Sequence, residues 1–186
     1  FQTAGTEIIA LQAKAMGLPL VVQETKGEKE IELADLETAL QTAKHKYHLQ
    51  GIVSGALFST YQRDRIEKIC DRLGLKIFSP LWHKPQEEEM KELLANGFQF
   101  VLSAVAAEGL DKGWFNNIIT EKDVEKLITL NKKIGINVAG EGGEFESVVL
   151  DCPLFKKKII IEEVKIVEEG RNSAYMVVKK ARVREK

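Results

Sequence analysis

GIVSGALFSTYQRDRIEKICDRLGLKIF, residues 51–78, carries the alternation from which the fold is read. Ile52 and Val53 open a short apolar run that suits a buried strand. Ser59 and Gln62 have the S-x-x-Q spacing of a capping box, which satisfies two free N–H groups at a helix start. Ile66, Ile69, Cys70 and Leu73 follow at helical spacing as an inward stripe, and Gly74 closes it. Residues 75–79 read as a further strand. Strand, helix and strand at this rhythm imply parallel pairing, because parallel neighbours need a crossover connection.

Toward the amino end, Ile8, Leu11, Ala15 and Met16 predict a helix over residues 6–16, with Gly17 as its C-terminal cap. Leu18 to Val22 reads as a short strand with Pro19 near its start. Leu36, Leu40, Ala43 and Tyr47 predict a helix over 31–50, ended by Gly51. On the carboxyl side, PLW (80–82) breaks the pattern and PQEEEMKELLANG (85–97) reads as a helix. FQFVLSAVAA (98–107) is strand-like, and GINVA (135–139) is β-like. Thr120 with Asp123 starts another helix, which carries Val124, Leu127 and Ile128 inward and stops at Gly135. Lys157–Val167 and Tyr175–Arg184 are β-rich, joined by EEGRNSA, and form an antiparallel pair in the simplest reading. The expected architecture is α/β: an open parallel-sheet nucleotide-type domain over residues 1–80, then a smaller α+β domain over 81–186.

The bulk composition excludes more than it identifies. Lys plus Arg (27) nearly balances Asp plus Glu (28), so a net charge of -1 gives no whole-chain attraction to nucleic acid or anionic membrane. No apolar run approaches the ~20 residues that span a bilayer, and no signal-peptide pattern opens the chain. Cys70 and Cys152 form no close pair, so a reduced, cytoplasmic protein is expected. Cys70 falls on the apolar helix stripe as a structural thiol, and Cys152 has no base signature nearby. His45, His48 and His83 are too scattered for a zinc site. Neither GxGxxG nor GxxxxGK[ST] occurs, which removes Rossmann dehydrogenase and P-loop readings.

Two places can carry chemistry. The first is the strand-to-helix junction from Gly55 to Glu67, where free N–H groups at a helix start favour an anion. Arg63 and Arg65 in its first turns either meet a phosphate or pair with Asp64, Glu67 or solvent. The second is GEGGEFES, residues 140–147, with Glu141, Glu144 and Glu146 interleaved with glycines between apolar segments. Clustered carboxylates repel unless a cation sits among them; the alternative is a solvated acidic loop. Trp82 and His83 could line a pocket, or Trp82 could be a packing residue.

LQAKAMGLPL (11–20), GALFSTYQRDRIEKIC (55–70), PLW (80–82), EGLD (108–111) and GEGGEFESVVLDCPLFKKKI (140–159) together resemble the diphthine–ammonia ligase family. These are N-type ATP pyrophosphatases of the adenine-nucleotide α-hydrolase-like (HUP) group, and the resemblance runs across nearly the whole chain. It implies ATP-dependent amidation, with ammonia, of the diphthine carboxylate on translation elongation factor 2, through an acyl adenylate. The expected products are diphthamide, AMP and pyrophosphate, and the cofactors are ATP and Mg2+. Gly55, Tyr61, Gln62, Arg63, Arg65 and Glu67 match the family's middle motif, expected beside the nucleotide. Glu141, Glu144 and Glu146 match its signature loop as expected catalytic groups, with Gly142, Gly143, Phe145 and Trp82 on the acceptor side. A protein-bound metal site is not expected. Nor is a membrane or direct nucleic-acid partner, and a homo-oligomer is left open.

Phe145, Ser147 and Phe58 depart from the family's usual residues without changing the loop's charge. The family's SGGKDS phosphate loop has no counterpart in residues 1–186, so its place is expected before Phe1. Without it, these residues are expected to hold the acceptor side and part of the nucleotide site but not to turn over ATP alone. The rival readings are a non-catalytic adenine-nucleotide sensor, or the same ATP chemistry on an RNA base or small carboxylic acid.

Overall fold

The computed structural model of the chain describes residues 6–25, 31–55 and 60–186. By compactness it divides into two units. One is Leu20–Lys84; the other joins the described residues before Leu20 to Pro85–Lys186.

The first unit holds α2 (Ile31–Tyr47), β1 (Gly51–Val53), α3 (Thr60–Leu73) and β2 (Lys76–Phe78), after α1 (Ile9–Met16) of the second unit. β1 and β2 pair in parallel, Gly51 opposite Lys76 and Val53 opposite Phe78, with α3 as the crossover. Gly51 is required by that pairing: a Cβ there would stand 2.6 Å from the Lys76 carbonyl oxygen. Ile69 and Cys70 are the buried stripe of α3, and burial pushes the Cys70 thiol up, as suits a packing thiol. Arg72 Nε on α3 donates to Glu37 Oε1 on α2 at 3.0 Å. Ser59 lies outside the described residues, as do Phe58 and the side chains of Tyr61 and Gln62, so the expected capping box falls beyond description. The expected helix over 31–50 stops earlier, at Tyr47, because His48 turns left-handed (φ 54).

The second unit contains α1 (Ile9–Met16), α4 (Gln86–Ala95), β3 (Gln99–Val105), α5 (Glu121–Ile134), β4 (Phe145–Asp151), β5 (Lys157–Gly170) and β6 (Ser173–Glu185). Its strands form one antiparallel sheet in the order β4-β3-β6-β5. The central strand β3 is buried along nearly its whole length. Val124, Leu127 and Ile128 bring α5 onto the core. The Thr120–Asp123 capping box starts that helix and Gly135 (φ 77) ends it, as the spacing predicts. β5 and β6 are the expected hairpin, extended until Gly170 faces Ser173.

Three expectations change. Residues 2–19 were expected with the nucleotide-type domain, but the described part of that segment packs on the second unit's sheet. Glu7 Oε1 accepts the Val178 N–H at 2.7 Å, Gln12 Nε2 donates to the Val149 carbonyl at 2.9 Å, and Lys156 N–H donates to the Ala15 carbonyl at 2.7 Å. Ile8 and Ala15 join the same hydrophobic core. Leu18–Val22 forms no strand among the described residues: Pro19 lacks a donor, and Val22 is exposed. GINVA (135–139) is not a strand either, although Ile136 and Val138 are buried; its backbone is held by side chains instead. The result is a mixed α/β chain with one two-stranded parallel and one four-stranded antiparallel sheet. Among the described residues no helix is long and apolar enough to cross a membrane.

Candidate functional site

The first candidate place gathers around α3. Arg63 Nε donates to Glu67 Oε1 at 2.6 Å, one turn along the helix. Its guanidinium lies 4.7 Å from the centre of the Trp82 ring, and that ring lies 4.8 Å from His83. The helix pairing raised for Arg63 is therefore present, and a stacking contact comes with it. Trp82, expected on the acceptor side, is brought to Arg63. Arg65 is half-buried on the same helix. Gly55 follows β1 at its carboxyl end, and among the described residues beyond its chain neighbours none comes within 4 Å of where its Cβ would be.

The second place is the signature loop. Gly140 (φ 79) and Gly143 (φ 86) are left-handed, and the Gly143 N–H donates to the Gly140 carbonyl at 3.0 Å. A Cβ on Gly140 would meet the Phe145 ring and carbonyl at 2.8–2.9 Å. The turn then feeds β4, whose first residue, Phe145, is buried in the core.

Strand register decides what the loop presents. Ala104 on β3 pairs with Glu146 on β4 and with Tyr175 on β6. Directly paired residues share a sheet face, so Glu146, Ala104 and Tyr175 form one row across three strands. The small central residue leaves room between two large ones whose strands stand roughly 10 Å apart. An open cleft of about 400 Å³ occupies that room, lined also by Gly143, Phe145, Glu169 and Ser173. The Ser173 hydroxyl donates to Glu169 Oε2 at 3.4 Å. Two carboxylates, the Tyr175 ring and a hydroxyl thus face one space, while the Phe145 ring, expected on the acceptor side, points to the opposite sheet face and packs in the core.

The three signature glutamates do not converge. Glu141 is exposed, while Glu146 lines the cleft. Glu144 turns inward: Oε1 accepts the Asn137 N–H at 2.9 Å, and Oε2 is buried with no hydrogen-bond partner among the described residues. Consistent with this, no group of three His, Cys, Asp or Glu among the described residues could hold a metal. Glu169, Ser173 and Tyr175 escaped the sequence reading, since only the register between β3 and β6 brings the hairpin end to the loop. EGLD proves structural: Asp111 accepts the Gly113 N–H at 2.8 Å, and a Cβ on Gly109 would stand 2.6 Å from Leu130. Cys152 is buried just after β4, in the hydrophobic core.

Comparison with known proteins agrees with these motifs. The sequence model of the diphthamide synthase N-terminal domain matches residues 1–77, and that of the diphthamide synthase C-terminal domain matches residues 85–183. The chain is 39% identical over 178 residues to the diphthine–ammonia ligase of Homo sapiens, covering 90% of this chain and 67% of that protein. It is 38% identical over 184 residues to that of Bos taurus, covering 93% and 69%. It is 36% identical over 198 residues to that of Schizosaccharomyces pombe, where it spans all of this chain but 32% of the relative. The cleft-forming loop and the Arg63 helix both fall within the matched segments, and the chain belongs to the diphthamide synthase family.

Proposed function

We propose that this chain carries the acceptor cleft and part of the nucleotide site of a diphthine–ammonia ligase. The observation that supports this most is the Glu146–Ala104–Tyr175 row. Diphthine carries a quaternary ammonium next to the carboxylate to be amidated. A cleft with carboxylates and an aromatic ring suits such a cation, which cannot donate hydrogen bonds and is held by charge and the ring quadrupole.

The reaction needs two displacements. An acceptor carboxylate oxygen bonds to the α-phosphorus of ATP, the bond to the bridging oxygen breaks, and pyrophosphate leaves. Ammonia then bonds to the acyl carbon, the carbon–oxygen bond to AMP breaks, and the proton lost by nitrogen passes to solvent. Glu146, with Tyr175, orients the acceptor's cation so that its carboxylate is presented in one direction. Arg63 and Arg65 supply positive charge beside the phosphates as negative charge shifts toward the leaving group. Glu67 and Trp82 hold the Arg63 guanidinium for that task. Gly55 stands at the carboxyl end of β1, where a nucleotide approaches a parallel sheet. Mg2+, expected with ATP, finds no three-ligand group among the described residues, and the steps above do not run through it.

On this reading the first unit is part of an adenine-nucleotide α-hydrolase-like sheet of the HUP type, the protein acts in the cytoplasm, and its partner is translation elongation factor 2 bearing diphthine. The test incubates the full-length protein with ATP, ammonium and diphthine-bearing elongation factor 2. Amide on the factor with matching AMP and pyrophosphate is the expected result. ATP binding with neither product would replace the ligase by a nucleotide sensor.

A further inference from the structure

Residues 136–140 are buried enough to need hydrogen bonds but lie in no strand, so their polar groups must find partners elsewhere. Three successive N–H groups each meet a side-chain oxygen. Asn137 N–H donates to Glu144 Oε1 at 2.9 Å, Val138 N–H to Gln86 Oε1 at 2.9 Å, and Ala139 N–H to Asn137 Oδ1 at 3.0 Å. Asn131 Nδ2 on α5 donates to the Ile136 carbonyl at 2.6 Å. The segment is thus pinned from α4, from α5 and from the signature loop itself.

Glu144 is the only one of these side chains whose own backbone continues into the cleft wall. Its carbonyl accepts the Ala106 N–H at 2.8 Å, which anchors it to the end of β3, and the next two residues line the cleft. The carboxylate fits under the turn so closely that a Cβ on Gly142 would stand 2.6 Å from Oε1 and 2.9 Å from Oε2.

We infer that Glu144 is a positioning residue that sets the acceptor cleft by accepting the Asn137 N–H, not a group that neutralises a bound cation. Glycine at 142 follows from the same contact, because any side chain there displaces the carboxylate. Gln can still accept the Asn137 N–H and Ala cannot, so hydrogen-bond capacity and charge separate cleanly. Removing an acceptor from a buried N–H is costly even where the bond itself is modest.

This inference rests on the proposed amidation for its kinetic arm only. Glu144→Gln, Glu144→Ala and Gly142→Ala are made in the full-length protein, and amidation kinetics and amide hydrogen exchange at Asn137 are measured. Glu144→Gln is expected to keep kcat/KM for diphthine-bearing elongation factor 2 within about 3-fold, with Asn137 still protected. Glu144→Ala and Gly142→Ala are each expected to raise the acceptor KM by about 10-fold or more, to leave the ATP KM unchanged and to expose the Asn137 amide. The double variant should be no worse than Glu144→Ala, because both changes break one contact. A Glu144→Gln protein as impaired as Glu144→Ala, or an Ala variant that keeps Asn137 protected, overturns the inference. If Glu144→Ala fails to fold, Gly142→Ala carries the same comparison. A parent protein without amidation but with this exchange pattern sinks the ligase reading and leaves the positioning role standing.

Discussion

The two units solve the same problem, burying a sheet, to different degrees. In Leu20–Lys84 the paired residues Val53 and Phe78 end their strands 73% and 65% exposed. In the other unit, Phe100, Val101, Leu102 and Val105 along β3 are all buried, and Ile8, just before α1, and Ala15 within it join the same core. Parallel strands ordinarily have both faces covered, whereas an antiparallel sheet tolerates one open face. The second unit therefore builds its site on a framework whose shape its own residues determine. In the first, the proposed nucleotide contact is a small cluster, Arg63 with Glu67 and Trp82, set on one helix and one turn.

The widest gap between the units should appear in core truncation. Leu127→Ala in α5 removes a fully buried side chain from the large core and is expected to cost about 3–5 kcal/mol, read by denaturant unfolding. Ile69→Ala in α3 is expected nearer ~2 kcal/mol, since a smaller cluster closes more readily over the gap. Equal losses would remove the distinction.

Function should divide along the same line. Glu146→Gln or Tyr175→Ala is expected to raise the acceptor KM by about 10-fold while leaving the ATP KM alone, since each removes ~1–2 kcal/mol of cation binding. Arg63→Ala is expected to lower kcat/KM for ATP by about 10-fold with no change at the acceptor. A variant that moves both constants together would show that the units do not act separately.

The smallest effect is expected at a local signal. Thr120→Ala should cost about 1 kcal/mol by removing the α5 cap. Burial pushes the Asp123 carboxyl up, but bonds from Lys126 and from the Thr120 hydroxyl and N–H outweigh it and hold the group below the usual value. Stability from Asp123 is therefore full above the ordinary carboxylate range and lost as pH falls through its depressed value. Acid unfolding of the Thr120→Ala protein should lose part of that dependence; an unchanged acid limb would deny the capping box its role.

These predictions mark where reading from residues succeeds. The α5 cap, the Gly17 and Gly135 stops and the β5–β6 hairpin were legible, because caps and turns act within a few residues of the signal. The Arg63–Glu67 pair was legible as one of two alternatives, since helical spacing puts the residues side by side. GEGGEFES was legible as a site but not in its parts. Alternating charge suggested three glutamates around one cation, whereas the fold turns Glu144 onto Asn137 and Glu146 into the cleft.

By itself the sequence determined most of the helices, the β1–β2 parallel crossover, the β5–β6 antiparallel pair and, through its motifs, the family. Each is encoded locally, in a period, a cap or a contiguous string. Only the tertiary structure decided that α1 belongs to the carboxyl-terminal sheet, that Tyr175 and Glu146 flank Ala104, and that Gln86, Asn131 and Glu144 hold one loop. Those contacts join segments distant in the chain, and strand register and buried hydrogen-bond demand, which no local pattern records, select them.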